Sequence, residues 1–104
     1  MRVLVADDEP NLLASIGAFL KAESIEAELV PDGSSARVRL SDEPFDAAVL
    51  DIRMPGLNGI ALLSWIKDEG MTLPVIMMSA HGDVRDAVEA MRLGAFDYLV
   101  KPFD

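Results

Sequence analysis

The chain contains no cysteine, which excludes a disulfide framework and any thiolate metal site and is compatible with a reducing cytoplasm. It is also short of positive charge: 9 Lys and Arg stand against 18 Asp and Glu, a formal net charge of −9. Nucleic acid and anionic membrane are held by Lys and Arg concentrated on one face, so this balance argues against direct nucleic-acid or membrane binding by this segment. Long apolar runs are lacking too. The first stops at Ala6, ahead of Asp7, Asp8 and Glu9, too early for a signal-peptide core, and no other approaches the ~18 residues of a membrane span. No repeat, low-complexity tract or linker divides the chain. With 104 residues, 51% of them hydrophobic, there is material for one modest core, and a single soluble, cytoplasmic domain over residues 1–104 is expected.

What is present is an alternation. Val3 to Ala6, Ala27 to Val30, Ala47 to Leu50, Val75 to Met78 and Tyr98 to Val100 are short, mostly apolar runs, as suits strands covered on both faces. Between them, Leu12, Leu13, Ile16, Phe19 and Leu20 share one helical face, as do Ile60, Leu63 and Ile66, and as do Val84, Ala87, Val88 and Met91. Ser34 to Leu40 has a poor stripe, with Ala36, Val38 and Leu40 nearly alternating, but its place between two buried strands calls for a crossover helix. Glycines and prolines such as Pro10, Gly33, Gly59 and Pro74 punctuate the joints. The order predicts an α/β, flavodoxin-like, doubly wound five-stranded parallel sheet with strand order 2-1-3-4-5. Its ligand site then lies beyond the carboxyl ends of the strands, between the first and third.

Chemistry-bearing residues fall at that rim. Asp7 and Asp8 follow the first strand, Asp51 the third, Ser79 the fourth and Lys101 the fifth. Three carboxylates on adjacent strand ends repel one another, so a cation must neutralise them or their pKa values must rise. Oxygen ligands with no His or Cys among them suit Mg²⁺ or Mn²⁺, which leave a position for a phosphoryl oxygen. A carboxylate attacks phosphorus when the metal and a nearby ammonium absorb the developing charge; Lys101 supplies the ammonium and Ser79 a hydroxyl. Taken singly, Asp7 or Asp8 serves equally well as a helix cap, Ser79 as a turn residue and Lys101 as a surface charge. Their joint occurrence at successive strand ends is what favours the phosphoryl site.

Four motifs carry a resemblance: Ala6-Asp7-Asp8-Glu9-Pro10, Asp51-Ile52-Arg53-Met54-Pro55-Gly56, Ser79-Ala80-His81 and Lys101-Pro102-Phe103. In this order and at these separations the chain resembles the receiver domains of bacterial response regulators, over nearly its whole length. The resemblance implies that Asp51 is phosphorylated from a phosphohistidine on a sensor histidine kinase. It implies Mg²⁺ bound by Asp8 and Asp51 through their side chains, by Arg53 through its backbone carbonyl and by Asp7 directly or through water. Ser79 and Lys101 would hold the phosphoryl group, the small Ala80 would leave room for the donor, and the Lys101–Pro102 peptide would be cis. Ser79 and Tyr98 would form the switch, with Tyr98 turning into space that Ser79 vacates; a lone Tyr otherwise packs at a sheet edge with its hydroxyl in water. Arg53 and His81, two residues beyond Asp51 and Ser79, would tune the lifetime of the phosphoryl group.

The segments from Ser79 to Met91 and from Gly94 to Asp104 resemble in particular the receivers of NtrC-type activators of sigma-54-dependent transcription. That resemblance implies an output domain in a longer regulator, or self-association, as partner. Receivers continue past Lys-Pro-Phe into a fifth helix, whereas this sequence stops at Asp104. A carboxy-terminally truncated domain is therefore expected, with part of one sheet face around the first and fifth strands uncovered. Two other classes remain open. A phosphohydrolase with an aspartyl nucleophile generally carries a second Asp where this chain has Arg53; a pure interaction module would have no use for the carboxylates and lysine. Nucleotide binding is disfavoured because no glycine-rich loop follows the first strand.

Overall fold

The computed structural model describes residues 1–80 and 84–101; His81 and the peptide bond to Pro102 lie outside the described residues. Strands and helices alternate throughout: β1 (Arg2–Ala6), α1 (Pro10–Ala22), β2 (Glu26–Val30), α2 (Gly33–Asp42), β3 (Ala47–Asp51), α3 (Gly59–Asp68), β4 (Val75–Ser79), α4 (Val84–Arg92) and β5 (Asp97–Val100). The strands form one parallel sheet in the order β2-β1-β3-β4-β5, as expected. Its register is nearly level at the carboxyl ends, with Ala6 beside Val30 and Leu50, Asp51 beside Met78 and Ser79 beside Val100. Asp51 and Ser79 are the last residues of their strands, not the first beyond them. Ladder hydrogen bonds are indifferent to side-chain polarity, and Ile52 N still donates to Met78 O at 2.9 Å.

The core lies against the central strands. Leu4, Leu50, Met77 and Met78 are fully buried, as are Leu62, Leu63 and Ile66 of α3. α2 resolves the ambiguous stripe: Ala36 and Leu40, four apart, are buried while Val38 is 58% exposed, so the alternation was a helix seen through a small residue. Asp32 caps it by accepting from Ser35 N at 2.7 Å, and Asn58 caps α3 by accepting from Ala61 N at 2.8 Å. Trp65 is half-buried beneath the Arg37 guanidinium, 5.0 Å from its ring centre.

The structure gives one expected face its direction and corrects two other expectations. The apolar stripe of α4 exists but is turned outward, with Val84, Val88 and Met91 about half to three-quarters exposed and Ala90 the buried contact. A helix seated through one small residue is oriented by that contact, not by its widest apolar face. β5 is not covered on both faces, since it is an edge strand on which Leu99 and Val100 are exposed. The uncovered face does not extend to β1, whose residues 3–6 are all buried between β2 and β3 and under α2. It is instead an apolar groove of about 410 Å³ between α1 and the sheet, lined by Leu12, Ile16, Leu20, Ile76, Met78 and Leu99.

Candidate functional site

Four strand ends build the site. Asp7 continues β1 by one residue, its N–H reaching Val30 O at 3.2 Å, and its side chain is fully buried. Its Oδ1 accepts from Glu9 N at 2.9 Å, which closes the turn into α1. Neither Asp7 nor Asp8 caps that helix: the cap position is Glu9, which makes no side-chain bond, and Pro10 has no N–H to satisfy. Asp8 is exposed beside Asp7. Asp51, 4% exposed, ends β3, and Ser79, 2% exposed, ends β4. Lys101 follows β5 at once, held by donation of its N–H to Ser79 O at 2.6 Å.

Side chains from separate strands meet here. Lys101 Nζ lies 2.7 Å from Asp7 Oδ2 and 3.3 Å from Asp51 Oδ2, and carboxylate oxygens of Asp7, Asp8 and Asp51 lie within 4.8 Å of one another. Asp7 Oδ2 is buried, and the Lys101 ammonium is its ion-pair partner. Burial, then the charge of Asp7, pushes the Asp51 carboxyl above the ordinary carboxylate range, against the pull of the Lys101 ammonium and the Arg53 backbone N–H. Burial also works against the Lys101 charge, but the contact with Asp7 and the charge of Asp51 outweigh it and raise its pKa. Three carboxylates thus gather beside one ammonium. A hard divalent cation fits this donor set.

The backbone around Asp51 is closely packed. A Cβ on Gly59 would collide with Asp51 O, and one on Gly33 with Leu57 O. Only glycine lets α3 and α2 begin this close to the loop that follows β3. Beyond the loop a cleft of about 660 Å³ opens, lined by Asp8, Arg53, Asn58, Asp86 and Glu89 among others. Ala80 is exposed at the end of β4. Tyr98 lies mid-strand on β5, half-buried, and its hydroxyl is buried with no hydrogen-bond partner among the described residues. The simple expectation of a wet hydroxyl is not met.

A sequence profile of the response regulator receiver domain matches residues 3–104. The chain belongs to that family. Among relatives of this receiver, the regulatory protein AtoC of Escherichia coli is 38% identical over 99% of this chain and 22% of its own length. The DNA-binding transcriptional regulator NtrC of Salmonella typhimurium is 40% identical over 98% of this chain and 22% of its own. Both accord with the NtrC-type resemblance. A solved Francisella response regulator receiver domain superposes with a TM-score of 0.93 at 33% identity, over 99% of this chain and 85% of that one. The receiver spans between 22% and 48% of the length of the curated relatives it matches. Receivers of this family are phosphorylation-controlled signalling domains of two-component systems. No helix among the described residues is long and apolar enough to cross a membrane.

Two features escaped sequence reasoning. Gly59 stands eight residues after Asp51, and its approach to Asp51 O could have been suspected only from a glycine at a helix start. Asp86, in the first turn of α4, reaches Arg53 across the cleft with Nη2 3.7 Å from Oδ2. Nothing in sequence spacing signals that pair.

Proposed function

We propose that Asp51 is the phosphoacceptor of this receiver and takes its phosphoryl group from a phosphohistidine of a sensor histidine kinase. The observation that carries this is the set of three carboxylates within 4.8 Å of one another, two of them paired with the partly buried Lys101 ammonium. Asp7, Asp8 and Asp51, with the Arg53 backbone carbonyl, would hold Mg²⁺ or Mn²⁺, which when bound supplies positive charge against the carboxylates and the transferred oxygens. In the transfer, an Asp51 carboxylate oxygen forms a bond to phosphorus as the phosphorus–nitrogen bond breaks. The electron pair leaves on the imidazole nitrogen, which takes up a proton from solvent. Lys101, kept cationic by its raised pKa, steadies the phosphoryl oxygens, Ser79 offers its hydroxyl, and Ala80 leaves the approach open.

Ser79 and Tyr98 form the switch in this proposal, supported by a Tyr98 hydroxyl that is buried without a hydrogen-bond partner among the described residues and so gains from a rearrangement that supplies one. The outward apolar stripe of α4 suits a face that engages an output domain or a second copy. The groove between α1 and β5 suits the family's fifth helix. Arg53 tunes the phosphoryl lifetime; His81, assigned the same role, lies outside the described residues. Output through transcription, in a cytoplasmic setting, follows the relatives' names and family habit. Arg53, where an aspartyl phosphohydrolase generally carries its acid–base Asp, supports a signalling domain over an enzyme with external substrates.

Incubation with Mg²⁺ and acetyl phosphate should produce an acid-stable, base-labile mass gain that Asp51→Asn abolishes. No gain in a folded wild-type chain would overturn the proposal.

A further inference from the structure

Arg53 leaves the acceptor end of β3 two residues after Asp51, and its Nη2 lies 3.7 Å from Asp86 Oδ2 in the first turn of α4. Both line the cleft beside Asp8. So does Glu89, the other acidic residue of α4 there, but its carboxylate pairs along its own helix with Arg92 at 3.8 Å. Among the described residues, Asp86 is therefore the acidic group of α4 that pairs with Arg53. The tie is weak, because the Arg53 side chain is 73% exposed and the Asp86 side chain 27%, and water screens such pairs. A phosphoryl group carries about two negative charges and three strong acceptor oxygens. Placed on Asp51, it competes for the same guanidinium.

We propose that Asp86 is a positioning residue that sets the lifetime of the phosphoryl group on Asp51 by holding Arg53 away from it. The inference rests on the assignment of Asp51 as acceptor. Hydrolysis requires a water oxygen to bond to phosphorus as the bond to the Asp51 carboxylate oxygen breaks; the electron pair returns to that carboxylate, and the water's proton is lost to solvent. A guanidinium lying on the phosphoryl oxygens obstructs that approach. One held by Asp86 leaves it open, so Asp86 shortens the lifetime and acts only through Arg53.

The test is the half-life of the acyl phosphate, followed by mass after acetyl phosphate is removed, in the presence of Mg²⁺. Asp86→Asn should lengthen it about two- to five-fold, the range an exposed ion pair commands. Asp86→Glu should restore the wild-type value, and Glu89→Gln, with the same charge change in the same cleft, should leave it unaltered. In an Arg53→Ala background Asp86→Asn should have no further effect. An unchanged or shorter half-life in Asp86→Asn would overturn the inference. So would an equal lengthening in the Arg53→Ala background, which would assign Asp86 to the helix dipole of α4 instead. A wild-type chain that takes up no phosphoryl group would overturn the Asp51 assignment and this inference together, whereas normal uptake with an indifferent Asp86→Asn defeats the inference alone.

Discussion

The two ends of the sheet both gather charge, and they dispose of it in different ways. Around the amino ends of β1 and β2, Arg2 and Arg39 meet Glu26, Glu28 and Glu43, with contacts as short as 2.8 Å. Arg2 also lies over the Phe45 ring, 4.5 Å from its centre. These side chains keep a quarter or more of their surface in water, and solvent absorbs the surplus negative charge. At the carboxyl ends the surplus is larger, three carboxylates against one ammonium, and Asp7 is wholly buried and Asp51 nearly so. There water cannot absorb it. The Arg2 hydrogen bond lowers the pKa of Glu43, whereas burial, and then Asp7, raises that of Asp51. One cluster is settled as folded; the other holds buried negative charge that a cation would neutralise, as the proposed phosphoryl site requires.

The largest test of this contrast is removal of one cation at each end. In metal-free protein, Lys101→Ala leaves two buried carboxylates uncompensated and should cost about 3 kcal/mol in urea unfolding. Arg2→Ala should cost several-fold less, because its partners are solvated. Equal losses would erase the distinction. Next in size is metal addition. Mg²⁺ at a hundred times its dissociation constant should stabilise the folded chain by about 2.7 kcal/mol and raise Tm by roughly 10 °C. Asp7→Asn should lose most of that gain and Glu43→Gln none of it; a gain surviving in Asp7→Asn would move the cation elsewhere.

The smallest effect is one of pH, and its sign differs between the ends. Asp51 has a raised pKa, so the folded chain binds more protons than the unfolded one between the two values. Its contribution is present at low pH and is lost as pH rises through the folded pKa. Glu43 has a lowered pKa, so its contribution is present above the unfolded value and is lost as pH falls through the folded one. With a chelator present, urea midpoints between about pH 3 and 7 should lose their acid-side gain in Asp51→Asn and their acid-side loss in Glu43→Gln. Identical curves for both variants would sink the opposition.

Much of this was legible in the chain. The five apolar runs became β1 to β5 within one residue at either end, and the rim residues Asp7, Asp8, Asp51, Ser79 and Lys101 were named from their places after those runs. Parallel strands need nearly continuous apolar sequence, and strand order follows from right-handed crossovers, so both are written locally. Helix orientation was less accessible. The stripe of Val84, Ala87, Val88 and Met91 marked an apolar face but not its direction, and α4 rests on Ala90, because periodicity reports that a face exists and not where it points.

By itself the sequence determined the alternation of elements, the doubly wound sheet and the row of polar groups at its carboxyl edge, since all of these depend on residue type and spacing along the chain. Only the tertiary structure decided how those groups meet: that Lys101 reaches Asp7 more closely than Asp51, that Asp7 is wholly buried while Asp8 beside it is exposed, and that Arg53 reaches across to Asp86. Distances between side chains on different strands and helices are set by register and packing, and charge interactions change over ångströms.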